Sequence, residues 1–271
     1  MNGKDFRLAR LIRPNTGKIC LVAIDHGTTM GPITGLQDAS SLIHQLVAGH
    51  ADAIILHKGL LRLVHNYPGL ACGKFVMHLS ASTALSRDHN EKILVSSVEE
   101  AILMGADAVS IHVNIGTDFD ANMIKDLGKV SAECLKWGMP LIAMVFSRKE
   151  EGKTPIQIAH AARLGQELGA DIVKVDYPGS KEGIATVLDG IQIPLVIAGG
   201  EKEEKPQTVL QMIHDAITAG ACGVCMGRNI FQHKHPEFLT HLISQLVHGE
   251  LTIQECLTSV ETSPCSHHFS F

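Results

Sequence analysis

Strand-like runs alternate with helix-like runs from Lys18 almost to the end of the chain, and this alternation most constrains the fold. Short apolar runs predict eight strands, at 18–25, 53–57, 74–79, 108–113, 140–146, 171–177, 195–198 and 223–226. Amphipathic patterns predict helices at 37–49, 97–105, 120–137, 155–169, 181–188, 206–220 and 236–248. Eight strands, mostly separated by helices, favour a closed (β/α)8 TIM barrel over an open doubly wound sheet.

The barrel is expected to form a single domain. A chain of 271 residues has room for two average domains, but α/β barrels commonly use about 200–250 residues as one. No linker or low-complexity segment divides this chain. We therefore predict that residues 1–257 form the barrel with a short N-terminal capping helix. The Ser-, Thr- and His-rich residues 258–271 are predicted to be a poorly ordered tail.

The composition argues against several kinds of partner and location. The net charge is −5, no basic run occurs and aromatic residues make up 4% of the chain, which disfavours nucleic-acid binding. No apolar stretch approaches the ~18 residues of a membrane span. The N-terminus has no apolar signal core, and the seven cysteines are scattered, which is typical of reduced thiols in the cytoplasm.

Lys174 interrupts the sixth predicted strand and is its most unusual residue. In the pleat of a strand, Ile172, Lys174 and Asp176 share one face. A lysine there either forms an ion pair, with Asp176 as the candidate partner, or serves as a buried nucleophilic amine. The strand alone favours the ion pair. The residues at the ends of the other strands must therefore decide between the two roles of Lys174.

The first predicted strand ends in Asp25-His26-Gly27. In a barrel of this kind the active site lies where the strands end and the following loops begin. Asp25 would therefore lie at the barrel mouth near the other strand ends. The alternative is that its carboxylate caps a helix or a loop.

Glycines follow the last two predicted strands, at the positions where barrels commonly bind phosphate. Gly199 and Gly200 come after the seventh strand, and Gly227 and Arg228 come after the eighth, where a short helix is predicted at 229–233. Backbone N–H groups at such a turn favour an anion, and an arginine adds a charged fork. Both loops are therefore predicted to bind a substrate phosphate.

Lys174 facing Asp25 and a phosphate site suits Schiff-base chemistry on a phosphorylated ketone. The amine condenses with the carbonyl, and the iminium then accepts the electrons of a breaking C–C bond. No metal or other cofactor is predicted. Cys222 and Cys225 form a lone C-x-x-C, and the sixteen histidines include no H-E-x-x-H spacing.

Several stretches together resemble the archaeal-type class I fructose-bisphosphate aldolases. Within that family the chain is most similar to the 2-amino-3,7-dideoxy-D-threo-hept-6-ulosonate synthases and related aminoheptulosonate-phosphate synthases. The matching stretches span nearly the whole chain: Ile24-Asp25-His26-Gly27 with Gly31-Pro32, His78-Leu79-Ser80-Ala81-Ser82-Thr83, Ser110-Ile111-His112-Val113-Asn114-Ile115-Gly116, Trp137-Gly138-Met139-Pro140-Leu141, Val173-Lys174 and Gly227-Arg228-Asn229-Ile230-Phe231-Gln232-His233.

The resemblance implies a barrel assembled into a homo-oligomer, often a decamer in this family. It implies that Lys174 is the Schiff-base lysine and that Asp25 is a catalytic acid/base. It also implies that Gly199, Gly200 and the Gly227-Arg228 loop hold phosphate, and that no metal takes part. The expected partner is a phosphorylated small-molecule substrate.

Phe146 departs from the family pattern. Relatives carry Met-Tyr-Pro-Arg after the fifth strand, and their tyrosine transfers protons, whereas this chain reads Val145-Phe146-Ser147-Arg148. A phenylalanine neither donates nor accepts a proton. Asp25, His26 or a water molecule is the expected substitute.

The leading functional hypothesis is a class I aldolase or transaldolase that acts on a small phosphorylated ketose or ketone. Two alternatives remain open at this point. One is a thiolase-like acyl transfer on a phosphorylated diketone, which does not need the missing tyrosine. The other is a sugar-phosphate binding protein without catalysis.

Overall fold

The computed structural model describes residues 3–64, 68–70, 72–148 and 153–262. The strands in this part of the chain are β1 (Ile19–Ala23), β2 (Ala53–Leu56), β3 (Phe75–His78), β4 (Ser80–Ala81), β5 (Ile93–Leu94), β6 (Ala108–Ile115), β7 (Leu141–Ser147), β8 (Ile172–Val175), β9 (Leu195–Ala198) and β10 (Gly223–Met226).

The described helices surround these strands. They are α1 (Gly3–Leu11), α2 (His26–Met30), α3 (Ala39–Ala48), α4 (Lys58–Val64), α5 (Val98–Leu103), α6 (Asp120–Trp137), α7 (Pro155–Glu167), α8 (Lys181–Leu188), α9 (Pro206–Thr218), α10 (Arg228–Phe231), α11 (Pro236–His248) and α12 (Ile253–Thr262), with a 3₁₀ turn at Pro68–Leu70. No helix in the described ranges is long and apolar enough to cross a membrane.

Eight parallel strands close into a barrel in the order β1-β10-β9-β8-β7-β6-β3-β2. Each of them coincides with one of the predicted strands to within a few residues at its ends. The remaining two strands, β4 and β5, form a small antiparallel hairpin after β3. The predicted (β/α)8 TIM barrel is confirmed.

Two apolar layers build the core, and the alternation along each strand separates them. On β8, Ile172 packs inside the barrel, whereas Val173 and Val175 pack outward among the residues that the helices cover. The helix ends follow local sequence signals as well. Thr154 and Gln157 form a capping box at the start of α7, where Pro155 occupies the first position.

Helix α1 lies across the N-terminal end of the barrel. Lys4 pairs with Asp171 at 3.0 Å, and Arg10 pairs with Asp107 at 3.2 Å. Each of these aspartates directly precedes a barrel strand. Leu11 is fully buried and joins the interior layer of the barrel. The opposite end, where the strands finish, stays open to the loops.

The structure differs from the predicted tail at 258–271. Helix α12 continues to Thr262, so the first five residues of that segment are helical, and 263–271 lie outside the described residues. The hydroxyls of Thr258, Ser259 and Thr262 each donate to the carbonyl four residues earlier. Polar composition therefore did not prevent a helix here, because Cys256 packs into the core and anchors it.

Candidate active site

Lys174 points into the barrel from β8. It shares the inward face of Ile172, and its residue is only 7% exposed. Its neighbours across the sheet are Met144 on β7 and Val196 on β9. Among the described residues no carboxylate lies within ion-pair distance of its ammonium group.

The alternative role of Lys174, an ion pair with Asp176, is absent from the structure. Strand β8 ends at Val175, so the pleat does not orient the Asp176 side chain. Its carboxylate instead pairs with Lys153 Nζ at 2.6 Å. Lys174 is left as a buried amine that faces the cavity.

A cavity of about 350 Å³ opens at the C-terminal ends of the barrel strands. Its wall includes Lys174 and residues from the loops that follow most of the strands. It brings together all the site residues predicted from the sequence: Asp25, His26, Phe146, Lys174, Gly199, Gly200, Gly227 and Arg228.

Asp25 occupies the N-cap position of α2, but its side chain makes no capping hydrogen bond. Its carboxylate lies 3.6 Å from His78 Nε2 and 3.6 Å from His26 Nδ1. Burial by itself raises the pKa of Asp25, but His78, His26 and the Lys174 ammonium lower it by more. The net pKa is well below the ordinary value. Asp25 is therefore a carboxylate at neutral pH.

The histidines around Asp25 are neutral at pH 7. Burial lowers the pKa of His78 to about 3, although the nearby Asp25 opposes the shift. Burial likewise lowers the pKa of His26 and of His57. His78 Nδ1 lies 2.8 Å from Ser110 Oγ, and His57 Nε2 lies 2.9 Å from Thr28 Oγ1. Neutral imidazoles both donate and accept protons, so they suit proton transfer near Lys174.

The predicted phosphate loops meet beside the cavity. A Cβ atom on Gly227 would come within 2.8 Å of the Ala23 carbonyl oxygen, so the backbone approaches closely only because this residue is glycine. Asn229 is buried, and its Nδ2 donates to the carbonyls of Gly199 and Glu201 at 2.7 and 2.9 Å. This single amide ties the loop after β9 to the loop after β10.

The Arg228 guanidinium lies beside the glycines and lines the cavity. Its Nη2 donates to the Gly200 carbonyl at 3.1 Å, and its Nη1 lies 3.8 Å from a carboxylate oxygen of Glu201. Its Nε is buried and has no hydrogen-bond partner among the described residues. Guanidinium groups bind phosphate well, so Arg228 suits an anion in the cavity.

Phe146 lies near the end of β7 and lines the same cavity. Its ring centroid is 4.9 Å from that of His112, and the Arg148 guanidinium lies 5.5 Å from the ring. Phe146 therefore places an apolar ring in the cavity wall, in contact with His112 and Arg148.

The cavity also contains side chains that the sequence reasoning left out, namely His57, His78, Lys92, His112 and Arg148. His57 directly follows β2 and His78 ends β3, so the strand-end rule applied to Asp25 would have found both. Lys92 gave no comparable signal because it belongs to the unpredicted β4–β5 hairpin. Within the described ranges, no group of three His, Cys, Asp or Glu residues is arranged to hold a metal ion.

Comparisons with known proteins agree with this geometry. The model of the DeoC/LacD family of aldolases matches residues 19–233. A Streptomyces griseus 2-amino-4,5-dihydroxy-6-oxo-7-(phosphonooxy)heptanoate synthase is 38% identical over 252 residues, with 92% of each chain covered. An Archaeoglobus fulgidus 2-amino-3,7-dideoxy-D-threo-hept-6-ulosonate synthase is 40% identical over 257 residues, with 95% of each chain covered.

A solved structure shows the same fold. It is an archaeal fructose-1,6-bisphosphate aldolase whose catalytic lysine is covalently bound to the carbinolamine intermediate of its substrate. It aligns with a TM-score of 0.83 and 25% identity, over 92% of this chain and 100% of that one.

Proposed function

Because the chain belongs to the DeoC/LacD family of aldolases, we propose that it is a Schiff-base aldolase or transaldolase in which Lys174 is the nucleophile. The substrate is a small phosphorylated ketose or ketone. The observation that carries this proposal is the buried Lys174 amine, which has no carboxylate partner among the described residues and lines the same cavity as Arg228 and the two glycine loops.

Lys174 Nζ attacks the ketone carbon, and loss of water from the carbinolamine leaves an iminium. The hydroxyl on the β carbon loses its proton to Asp25 or His26, and the bond between the α and β carbons breaks. Its electron pair moves into the iminium, which yields an enamine on Lys174, while the β carbon leaves as an aldehyde. In synthesis the same steps run in reverse. Asp25 is the anionic proton acceptor, and the neutral imidazole of His26 donates and accepts protons beside it.

Gly199, Gly200 and Gly227 present backbone to the substrate phosphate, and Arg228 supplies the charged donor. Two related proteins have phosphorylated products or substrates: one is a phosphonooxyheptanoate synthase and the other a fructose-1,6-bisphosphate aldolase. Both support a phosphorylated substrate for this chain. Candidate donors are fructose 1,6-bisphosphate, dihydroxyacetone phosphate and a deoxy-ketohexose phosphate, the last transferred to aspartate semialdehyde.

Borohydride trapping tests the proposal, because borohydride reduces the iminium to a stable amine. The protein is incubated with each phosphorylated ketone, reduced and digested, and the peptides are weighed by mass spectrometry. We expect the adduct on the peptide that contains Lys174 and no adduct in Lys174→Ala. An undiminished adduct in Lys174→Ala would contradict the assignment. Binding of every ketone without any adduct would favour the non-catalytic alternative.

We also propose that the protein forms a homo-oligomer. Apolar side chains are exposed on three helices that pack near one another: Phe6 on α1, Leu103 on α5, and Leu135 and Trp137 on α6. Exposed apolar side chains of this size are typical of interaction surfaces. Light scattering during size-exclusion chromatography measures the number of subunits.

We also propose that the protein is located in the cytoplasm. The six cysteines among the described residues all have free thiols, and four of them are buried. Free thiols are typical of a reducing compartment.

A further inference from the structure

Cys225 is a buried thiol in the cavity wall to which the proposed mechanism gives no role. It is an inward-facing residue of β10, it is fully buried and it lines the same cavity as Lys174. The other cysteine of the C-x-x-C motif, Cys222, donates instead to the Gly17 carbonyl at 3.2 Å. The motif therefore does not act as a pair, and Cys225 has to be considered by itself, together with Lys174.

The register of the sheet places Cys225 in the same layer of the barrel interior as Lys174. Lys174 lies opposite Val196 on β9, and Val196 lies opposite Gly223 on β10. Followed in this direction around the ring, the pairing drifts toward the starts of the strands. The drift in such a barrel is about one residue per strand, so alternate strands contribute the side chains of one layer. Two strands along, Cys225 rather than Gly223 is therefore level with Lys174.

Ile55 and Ser110 complete this layer of four by the same reasoning. Both are fully buried. Ile55 has no polar side-chain atom, and the Ser110 hydroxyl already lies 2.8 Å from His78 Nδ1. The sulfur of Cys225 is thus the polar atom of the layer that remains for the Lys174 amine.

The Lys174 amine hydrogen-bonds to the Cys225 sulfur. Burial raises the pKa of the Cys225 thiol, although the Lys174 ammonium opposes the shift, so the sulfur keeps its proton at neutral pH. A thiol is a weak acceptor, and a neutral acceptor stabilises an ammonium group much less than a carboxylate does. The contact therefore orients the amine without strongly favouring its protonated form.

We propose that Cys225 is a positioning residue, whose sulfur holds the Lys174 amine in the orientation from which it attacks the substrate ketone. The inference rests on the proposed function, because it concerns the reaction of Lys174. A lysine side chain has a flexible four-carbon stem, and a fixed contact at its end removes freedom that would otherwise be lost on the way to the reacting arrangement. Cys225 itself makes and breaks no bond.

The rate of adduct formation on Lys174, measured against pH, tests this role. The ketone is the one that borohydride traps, and the reductant is cyanoborohydride, at a concentration above which the rate no longer rises. Imine formation then limits the rate. The other groups that act on the charge of Lys174, namely Asp25, His26 and His78, are the same in every variant. Differences between variants therefore report the sulfur.

Cys225→Val keeps the bulk of the side chain and removes the acceptor. We expect its plateau rate to fall by ~5–30-fold, because the amine is no longer oriented. The pH of half-maximal rate should move downward, because the ammonium has lost an acceptor. Cys225→Ser restores a neutral acceptor and should stay within about threefold of the unaltered protein at the plateau.

Cys134→Val and Cys134→Ser are the matched controls, since Cys134 is fully buried on α6 outside the cavity. Both should leave the plateau rate and the half-maximal pH unchanged. If Cys225→Val does not fold, Cys225→Ala carries the same prediction.

Three results would overturn the role of Cys225: an unchanged plateau rate without the sulfur, a fall of equal size in Cys225→Ser, or a fall without any shift of the half-maximal pH. Absence of any adduct in the unaltered protein would instead count against the proposed function, so the two failures are distinguishable.

Discussion

At the scale of single residues, the candidate site combines one carboxylate with neutral imidazoles. Asp25 is ionised at neutral pH because its pKa lies well below the ordinary value, whereas burial lowers the pKa of His26 and of His78 and keeps both imidazoles neutral. An amine attacks a carbonyl only when it has lost its proton, so Lys174 needs an acceptor nearby. In the proposed mechanism Asp25, with its two imidazoles, is that acceptor.

Phe146→Tyr tests how much the missing phenol costs. General acid–base help is typically worth ~10²–10⁴-fold in rate, and the added hydroxyl would enter an open cavity with little strain. We expect the variant to cleave fructose 1,6-bisphosphate at least ~10-fold faster than the unaltered chain. Steady-state kinetics of the purified proteins measure the change.

Phe238→Tyr is the control for this substitution, because Phe238 lies on α11 outside the cavity. It should leave the rate unchanged. If Phe146→Tyr brings no gain, the proton path runs entirely through Asp25 and the histidines, or the natural reaction is not an aldol cleavage. The formation of acyl-CoA from a phosphorylated diketone would then identify the acyl-transfer alternative.

At the scale of elements, aspartates near the starts of the strands join the barrel to the N-terminal segment. Asp107 accepts from the Phe75 N–H, and Asp171 accepts from the Leu141 N–H, while each also pairs with a basic residue of α1. Asp52 repeats the pattern: it accepts from the Cys20 N–H at 2.7 Å and pairs with Arg13 at 2.7 Å. It also binds His248 of α11 at 2.8 Å.

Asp52→Asn should show how much the contacts of Asp52 contribute to the free energy of unfolding, and how this contribution depends on pH. Burial raises the pKa of Asp52, but hydrogen bonds from His248, the Cys20 N–H and Arg13 lower it by more, so its folded-state pKa lies below the ordinary value. A depressed carboxyl pKa adds stability above the unfolded-state pKa, and this is lost as pH falls through the folded-state pKa. We expect the variant to lose roughly 2–4 kcal/mol at pH 7.

Urea unfolding at several pH values measures this loss. The difference between the two proteins should be largest near neutral pH and should shrink below about pH 4, as the carboxyl becomes protonated in the unaltered chain. Asp126→Asn, which removes only the pair with Lys129 on the surface of α6, should cost less than about 1 kcal/mol. A difference that stays constant down to acid pH would contradict the charge-based account.

The sequence predicted the regular elements well and the irregular ones poorly, for physical reasons. Long apolar runs and amphipathic repeats bury large areas, so α6, α8 and all eight barrel strands were recognisable. The hairpin strands β4 and β5 have two residues each, too few for any periodicity, and the position of Lys92 depends on them. The partner of Asp176 was also unpredictable, since Lys153 reaches it from a different loop.

At the scale of the whole molecule, the two ends of the barrel differ: the candidate site lies at one end, and contacts that stabilise the fold lie at the other. The candidate catalytic residues and the predicted phosphate loops lie where the strands end. The opposite end is closed by α1, with Leu11 inserted among the interior residues, and by the junction around Asp52. Stability and chemistry are thus separated by the length of the barrel strands.

This separation predicts opposite effects for two substitutions. Leu11 is fully buried far from the cavity, so Leu11→Ala should cost ~2–4 kcal/mol and lower Tm by about 5–10 °C. Its kcat, measured well below that Tm, should remain within about twofold of the unaltered protein.

Lys174→Ala should have the opposite effects. Turnover should disappear, while Tm should stay the same or rise, because a methyl group replaces a buried amine that has no carboxylate partner among the described residues. Thermal unfolding and steady-state kinetics of the two variants decide the matter. A large fall in kcat for Leu11→Ala would show that the closed end of the barrel shapes the reacting end, against the separation inferred from the fold.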